Sequence, residues 1–218
     1  MSKTYKSIGL RKSFIYILIR ISMNLLLTSQ GLTSKKIINS VKKILHKPLS
    51  IYKVVMLSSG PRNEKVLGYI NKFKEPLIRI GLKENNIKII FLNEENKINL
   101  SNFDIIFVCG GNTYAYLYYI KKLGLDKFIK QFIKSNKLYI GVSAGSMLVG
   151  PTIDYDDSED KFGIKDSYGL NLIDIVIFPH YSKDKEKKFK KLKNQFKKVI
   201  PLKDNQAVLV TDKTIEII

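Results

Sequence analysis

Apolar runs of strand length alternate with helical stretches of about ten or more residues along most of the chain. Parallel strands cannot be joined by a tight turn; they need a crossover of about a dozen residues, usually a helix. The alternation therefore predicts βαβ units. The expected fold is α/β, with a mostly parallel sheet flanked by helices on both faces in a three-layer sandwich.

Individual elements follow from the same pattern. Strands are expected at residues 24–28, 52–57, within 86–92, 103–109, 138–142, 176–178, 206–210 and 214–218. Helices are expected at residues 34–46, 63–80, 113–122, 125–135 and 184–198. Only residues 211–213 separate the last two strands, which predicts a hairpin at one edge of the sheet.

Charge and apolarity narrow the functional class. The 218 residues carry 38 basic and 19 acidic side chains, a net charge of +19. Such charge suits nucleic acid or an anionic membrane, but most of it is lysine scattered along helices, without an aromatic–basic RNA motif. We therefore do not expect nucleic acid as the main partner. No uninterrupted apolar run reaches about 18 residues, so no transmembrane helix is predicted.

Cysteine content and the N-terminal segment bear on location and domain organisation. The single Cys109 excludes an internal disulfide framework and a cysteine metal cluster, which suits a reducing cytoplasm. We expect neither metal nor organic cofactor. Residues 1–22 are basic, then apolar, and interrupted by Arg20. They either precede a true start at Met23 or form an extension, in preference to an export signal; membrane binding is an alternative role. Residues 23–218 should form one α/β domain.

A nucleophile elbow follows the fifth predicted strand. The pentapeptide Gly141-Val142-Ser143-Ala144-Gly145 has the Gly-x-Ser-x-Gly pattern of a strand, a sharp turn and a helix start. Its glycines suit a crowded turn in which a Cβ would collide with neighbouring backbone. The pattern predicts that the Ser143 hydroxyl lies at the carboxyl end of the sheet, where active sites of such folds gather.

A serine nucleophile needs a base, and histidine is the usual one. The chain has two histidines. His46 closes the first predicted helix, and we expect it to be a C-terminal cap that faces water. His180 follows the apolar run 176–178, at a strand end, so we assign it as the base rather than as a buried structural histidine.

The orienting carboxylate and the oxyanion donors are assigned in the same way. On elbow-type sheets the chain order is serine, acid, histidine, and the loop at 154–160 between Ser143 and His180 supplies several acids. One of them should face His180, and the others should be solvated. The N–H of Ala144 follows the nucleophile and is one oxyanion donor. Gly111 is the second, because glycine lets backbone approach a substrate closely.

The strand-end turn Gly110-Gly111-Asn112 also has other interpretations. It suits a plain strand-to-helix turn with Asn112 as the helix cap, or a phosphate-binding turn. It lacks both the full dinucleotide-binding glycine spacing and the P-loop lysine, so nucleotide binding is weakly supported.

Together these motifs resemble peptidase family S51, which includes dipeptidase E (aspartyl dipeptidase) and cyanophycinase. Its fold is similar to that of class I glutamine amidotransferases, which belong to the flavodoxin-like sandwiches. The likeness covers about nine-tenths of the chain, from Met23 to nearly the C-terminus. The segments that carry it are residues 25–29, 110–113, 139–145, 150–153 and 179–181.

The resemblance implies Ser143 as nucleophile, His180 as base, and Gly111 and Ala144 as oxyanion donors, with Gly110 and Asn112 beside them at the substrate. The dipeptidase E pattern, laid ungapped from the serine, puts its aspartate on Ser158. Relatives with an Asp-Asp-Pro stretch in this loop put it on Asp157. We choose Asp157, with Asp156 and Glu159 as the next candidates. The amidotransferases use cysteine at the elbow, so Ser143 disfavours amide transfer.

The resemblance therefore implies a serine peptidase that hydrolyses short peptides through an acyl-enzyme. Dipeptidase E prefers an N-terminal aspartate, which would need a cation in the site, and Arg62 is one candidate. Two alternatives stay open. The same triad would serve an esterase or amidase, and a catalytically silent binding protein could keep the scaffold.

Overall fold

The computed structural model describes residues 22–95, 97–164 and 166–218. The N-terminal segment expected at residues 1–22 lies outside the described residues as far as residue 21, and Ser22 is the first residue of β1. The strands are β1 Ser22–Thr28, β2 Val54–Ser58, β3 Ile87–Phe91, β4 Ile105–Val108, β5 Ser135–Val142, β6 Val176–Phe178, β7 Val199–Pro201, β8 Ala207–Val210 and β9 Ile215–Ile217.

Seven of these strands form one sheet in the order β3-β2-β4-β5-β1-β8-β9. The five strands from β3 to β1 are parallel, and β8 and β9 add an antiparallel edge. The prediction of a mostly parallel sheet with a terminal hairpin is confirmed. β2 and β4 are buried throughout, as expected of strands covered on both faces.

Helices cover both faces of the sheet. They are α1 Lys35–Ile44, α2 Glu64–Arg79, α3 Thr113–Lys122, α4 Leu125–Lys134, α5 Ala144–Met147 and α6 Glu186–Gln195. Alternate strand residues point to opposite faces: Leu26 and Met56 pack with α1 and α2, whereas Leu25 and Leu57 pack with α3 and α4. Two apolar layers thus enclose the sheet, and the predicted three-layer α/β sandwich is confirmed.

The C-terminal third differs from the prediction in two ways. β6 does not join the main sheet; it pairs in parallel with β7, with Phe178 opposite Pro201. The helix expected at residues 184–198 is shorter, because α6 ends at Gln195 and the chain then extends into β7. Since β6 and β7 are parallel neighbours, the loops that leave their carboxyl ends lie side by side.

Four neighbouring parallel strands, β2, β4, β5 and β1, end at the same edge of the main sheet. Ser58, Gly110, Ser143 and Ser29 follow or close these strands, so the topology gathers them at one rim. No helix within the described residues combines the length and apolarity needed to cross a bilayer.

Candidate active site

Ser143 occupies a strained turn between β5 and α5. Its φ of 48° and ψ of −105° lie outside the regions that a serine normally adopts. Its N–H donates to Thr28 O at 3.0 Å, and the neighbouring Ser146 hydroxyl donates to Thr28 O and Gly141 O, both at 2.8 Å. These bonds tie the turn to β1 and β5 and hold the strained conformation in place.

The two elbow glycines are sterically required. A Cβ added to Gly141 would lie 2.5 Å from Gly145 O, and one added to Gly145 would lie 2.5 Å from Val108 O. Each would strike backbone, which cannot swing away as a side chain can. The buried Tyr139 hydroxyl also donates to Gly145 O at 2.7 Å. The elbow is therefore packed against β4 and β5 with no room for larger residues.

The side chain of Ser143 is hydrogen-bonded to His180. The Ser143 Oγ lies 2.9 Å from His180 Nε2, and His180 Nδ1 lies 2.5 Å from Asp204 Oδ1. With Nδ1–H donating to the carboxylate, Nε2 is left as the acceptor for the serine proton. His180 also has a positive φ of 54°, so both residues of the pair are held in unusual backbone conformations.

Ser29, at the end of β1, connects the backbone of His180 to the carboxylate of Asp204. The His180 N–H donates to Ser29 Oγ at 2.8 Å, and the Ser29 hydroxyl donates to Asp204 Oδ1 at 3.1 Å. The Ser29 N–H donates to Gln206 O at 3.1 Å, which pins the loop that carries Asp204. Ser29 is fully buried, so the Asp204 loop is attached to a residue of the core.

The acid on His180 is Asp204, and this corrects the choice of Asp157. The Asp157 carboxylate accepts a hydrogen bond from Lys188 instead. Asp156 accepts from the Thr113 N–H at 3.3 Å, and Glu159 pairs with Lys161 at 3.2 Å. Asp204 follows β7, whose neighbour β6 leads to His180, so the order along the chain is serine, histidine, acid.

The sequence segment that would have identified Asp204 is only a few residues long. Residues 199–201 are Val-Ile-Pro, and the polar run Lys203-Asp204-Asn205-Gln206 follows one residue later. A three-residue strand before a polar turn resembles an ordinary loop, and only its pairing with β6 gives Asp204 its place. Sequence reasoning also gave no role to Ser29 beyond its place in the family resemblance.

The glycine turn after β4 lies beside the serine. A Cβ added to Gly110 would lie 3.7 Å from Ser143 Cβ, and Gly111 has a φ of 151° that favours glycine. Asn112 caps α3, accepting from the Ala115 N–H at 2.9 Å. None of the hydrogen bonds between described residues uses the N–H of Gly111 or of Ala144. Neither N–H is therefore engaged within the part of the chain that the structure describes.

Other candidates from the sequence lie away from the Ser143–His180 pair. His46 is exposed beside the start of β5, at the opposite edge of the sheet. Arg62 pairs with Glu94 at 2.8 Å and lies over the Phe91 ring at 4.3 Å, so its charge is already engaged. Cys109 is buried, and burial raises the pKa of its thiol well above the ordinary value. Among the described residues, no cluster of histidine, cysteine or acidic side chains could hold a metal ion.

Three cavities lie at this rim of the sheet, and Ser143 lines one of them. A narrow one of about 70 Å³ lies between Ser143, His180 and the acidic loop. A second, of about 390 Å³, is lined by Ser29, Phe73 and His180. A groove of about 760 Å³ runs between α2 and the turn at Gly110 and Gly111. The serine thus lies where bound ligands could extend in more than one direction.

Comparison with known proteins identifies the family. An uncharacterized peptidase of Listeria innocua is 32% identical over 171 residues, which cover 74% of this chain and 82% of the relative. Peptidase E of Shewanella denitrificans is 30% identical over 108 residues, covering 49% of this chain and 46% of the relative. A crystal structure of a Listeria monocytogenes protein assigned as peptidase E superposes with a TM-score of 0.73 at 26% identity, covering 90% of this chain and 98% of that one. The model of "Peptidase family S51" matches residues 25–218, and the chain belongs to that family.

Proposed function

We propose that this peptidase is of the serine type and acts through Ser143, His180 and Asp204. The observation that carries the proposal is the unbroken hydrogen-bond chain from Ser143 Oγ to His180 Nε2, at 2.9 Å, and from His180 Nδ1 to Asp204, at 2.5 Å. A serine hydroxyl is a weak nucleophile until a base takes its proton. This arrangement supplies the base and the carboxylate that fixes its tautomer.

The reaction divides into two acyl transfers. His180 removes the hydroxyl proton as Ser143 Oγ attacks the peptide carbonyl carbon, and the carbonyl oxygen becomes an oxyanion. The N–H groups of Gly111 and Ala144 are the proposed donors to that oxyanion. His180 then gives the proton to the leaving nitrogen, the C–N bond breaks, and an acyl-enzyme remains. In the second transfer, His180 removes a proton from water as the water oxygen attacks the acyl-enzyme carbonyl carbon. His180 then returns the proton to Ser143 Oγ, the ester bond breaks, and the carboxylic acid product leaves.

Short peptides are the proposed substrates. The cavity at Ser143 itself is only about 70 Å³, and the acidic loop is fastened close to it: the Asn112 side-chain amide donates to Glu159 O at 2.8 Å. A long polypeptide would have to displace that loop. The hydrogen-bonded pair and its available N–H donors also favour a working enzyme over a silent binding protein.

The test is dipeptide hydrolysis by purified protein. Ser143→Ala and His180→Ala should each lower kcat by at least about 10³-fold, because each removes a group that acts in the bond-making step. Ser101→Ala is a matched control, since Ser101 lies in the turn before β4, at the far edge of the sheet. A fluorophosphonate should label the wild type at Ser143 and leave Ser143→Ala unlabelled.

Two results would contradict the proposal. Undiminished turnover in Ser143→Ala would remove the nucleophile assignment. Rapid cleavage of p-nitrophenyl esters by a protein that cleaves no dipeptide would assign the same triad to an esterase.

A further inference from the structure

The groove of about 760 Å³ is lined in part by Gly110 and Gly111, the turn that lies beside Ser143. A Cβ added to Gly110 would lie 2.4 Å from the Tyr69 hydroxyl and 3.7 Å from Ser143 Cβ. Tyr69, on α2, therefore stands over the glycine turn at the end of the groove nearest the nucleophile. Because Gly110 both lines the groove and lies beside Ser143, one residue of a substrate bound at the serine is within reach of the groove.

The inner wall of the groove is apolar. Ala115 and Gly110 are buried, Val66 is half-buried, and the Tyr69 ring is fixed edge-on against Phe73 with centroids 4.8 Å apart. Phe162 forms part of the outer wall, where it stacks on Tyr118 at 4.7 Å. These surfaces gain free energy by burying hydrocarbon and offer little to a charge.

The charged side chains of the groove lie on its rim. These are the exposed α2 residues Glu64, Lys65 and Lys72, so their charges stay hydrated. Among the described residues that line the groove, none is a buried cation. The neutral polar side chains of the lining are those of Ser58, Ser59 and Asn112, so a carboxylate in the interior would lose water without meeting an opposite charge, which is unfavourable. The groove therefore disfavours the aspartate side chain that the family resemblance implies.

The position of His180 tells which half of the substrate the groove receives. His180 lines the neighbouring cavity of about 390 Å³ and is not part of the groove wall, whereas Tyr69 lines both. The general acid must stand beside the leaving nitrogen. The leaving residue therefore belongs on the side of the two cavities that His180 lines, and the acyl residue belongs on the glycine side, in the groove.

We propose that this groove binds the acyl-side residue of the peptide and selects a bulky apolar side chain such as Phe or Leu. The inference rests on the proposed serine peptidase function. Val66 and Tyr69 are its specificity-determining residues. A large apolar side chain fills space that alanine leaves to water, which should favour Phe-Ala over Ala-Ala by about 10-fold to 100-fold in kcat/KM.

The experiment compares Phe-Ala, Leu-Ala, Ala-Ala and Asp-Ala, which share one leaving residue. Val66→Trp fills the groove from its wall and should lower kcat/KM for Phe-Ala by at least about 10-fold more than it lowers kcat/KM for Ala-Ala. Gly68→Phe fills it from α2, at an exposed position where an added Cβ meets nothing within 4 Å. Glu75→Trp is the control, an exposed position on the same helix outside the groove.

The outcomes separate the two proposals. Ser143-dependent cleavage that prefers Asp-Ala, or that both filling variants reduce equally for all four peptides, overturns the groove assignment alone. Failure to cleave any of the four overturns the proposed function and the groove assignment with it. Fluorophosphonate labelling of each variant verifies that a lost activity comes from the groove and not from an unfolded elbow.

Discussion

Two loops present carboxylates near His180, and they are built differently. The acidic loop, residues 154–160, precedes His180 in the chain, and the Asp204 loop, residues 203–206, follows it. Both carboxylates are well exposed, with 53% of the Asp204 side chain and 78% of the Asp157 side chain accessible. Exposure therefore does not choose between them.

The two loops differ in how they are attached to the sheet. The Asp204 loop is pinned to the end of β1 through the buried Ser29, whose hydroxyl and N–H both bond to it. The acidic loop reaches α6 through Asp157 and Lys188, and α3 through Asp156. A carboxylate that must hold an imidazole within hydrogen-bonding distance needs a fixed support. The comparison shows that this support comes from bonding to the end of a neighbouring strand, and not from the order of the residues along the chain.

The largest expected effect contrasts the two carboxylates directly. Asp204→Asn should lower kcat by about 10²-fold to 10⁴-fold, because the amide no longer stabilises the imidazolium and can favour the wrong tautomer. Asp157→Asn should change kcat by less than about twofold, since it loses only a surface pair with Lys188. Steady-state kinetics on one dipeptide measures both.

One result would contradict the assignment of Asp204. A large loss in Asp157→Asn together with near-normal Asp204→Asn would return the role to the acidic loop, and the geometry described here would then represent an unproductive state of the site.

The second effect tests the support beneath Asp204. Ser29→Ala removes the acceptor of the His180 N–H and the donor to Asp204. We expect kcat to fall by about tenfold and the free energy of unfolding to fall by about 1 kcal/mol, because a half-buried N–H loses its partner. Kinetics and thermal unfolding report the two quantities separately.

A second buried serine provides the matched control. Ser40 is 6% exposed, and its hydroxyl donates to Lys36 O within α1. Ser40→Ala should leave kcat unchanged, since it removes a hydroxyl bond that stays within α1. Equal losses of kcat in both variants would mean that general loosening of the fold, and not the position of Asp204, explains the effect.

The same contrast shows how far the sequence could be read. The parallel sheet followed from long alternating patterns, and Ser143 followed from a five-residue motif whose glycines the packing requires. His180 was chosen from two histidines because it ends an apolar strand, and the structure brings it to Ser143. These features are local, or they follow from the rule that carboxyl ends share one edge.

Asp204 could not be found in that way. Its strand, β7, is three residues long and ends in proline, and its partner β6 lies outside the main sheet. The position of the acid depends on a pairing between two short segments 23 residues apart, Val176 with Val199. Neither segment is long enough to show a periodicity that would predict the pairing. The assumed order of serine, acid and histidine also placed the acid in the loop before His180, whereas the structure has it in the loop after His180.

The smallest expected effect concerns what the acidic loop does instead. Asp156 Oδ2 accepts from the Thr113 N–H, at the first turn of α3 and two residues after Gly111. A carboxylate there also favours the helix N-terminus. Asp156→Ala should therefore shift the glycine turn slightly and lower kcat by less than about tenfold, with little change in KM, because the oxyanion donor acts only in the transition state.

Asp154→Ala is the matched control, because Asp154 is an exposed acid of the same loop, and its kcat should stay at the wild-type value. If the two variants behaved alike, the loop would influence the site only through its overall charge. A rise in KM with constant kcat in Asp156→Ala would instead place the loop in ground-state substrate binding. The expected split, with kcat lowered and KM kept, makes the acidic loop a support for the oxyanion turn, as the Asp204 loop is a support for the imidazole.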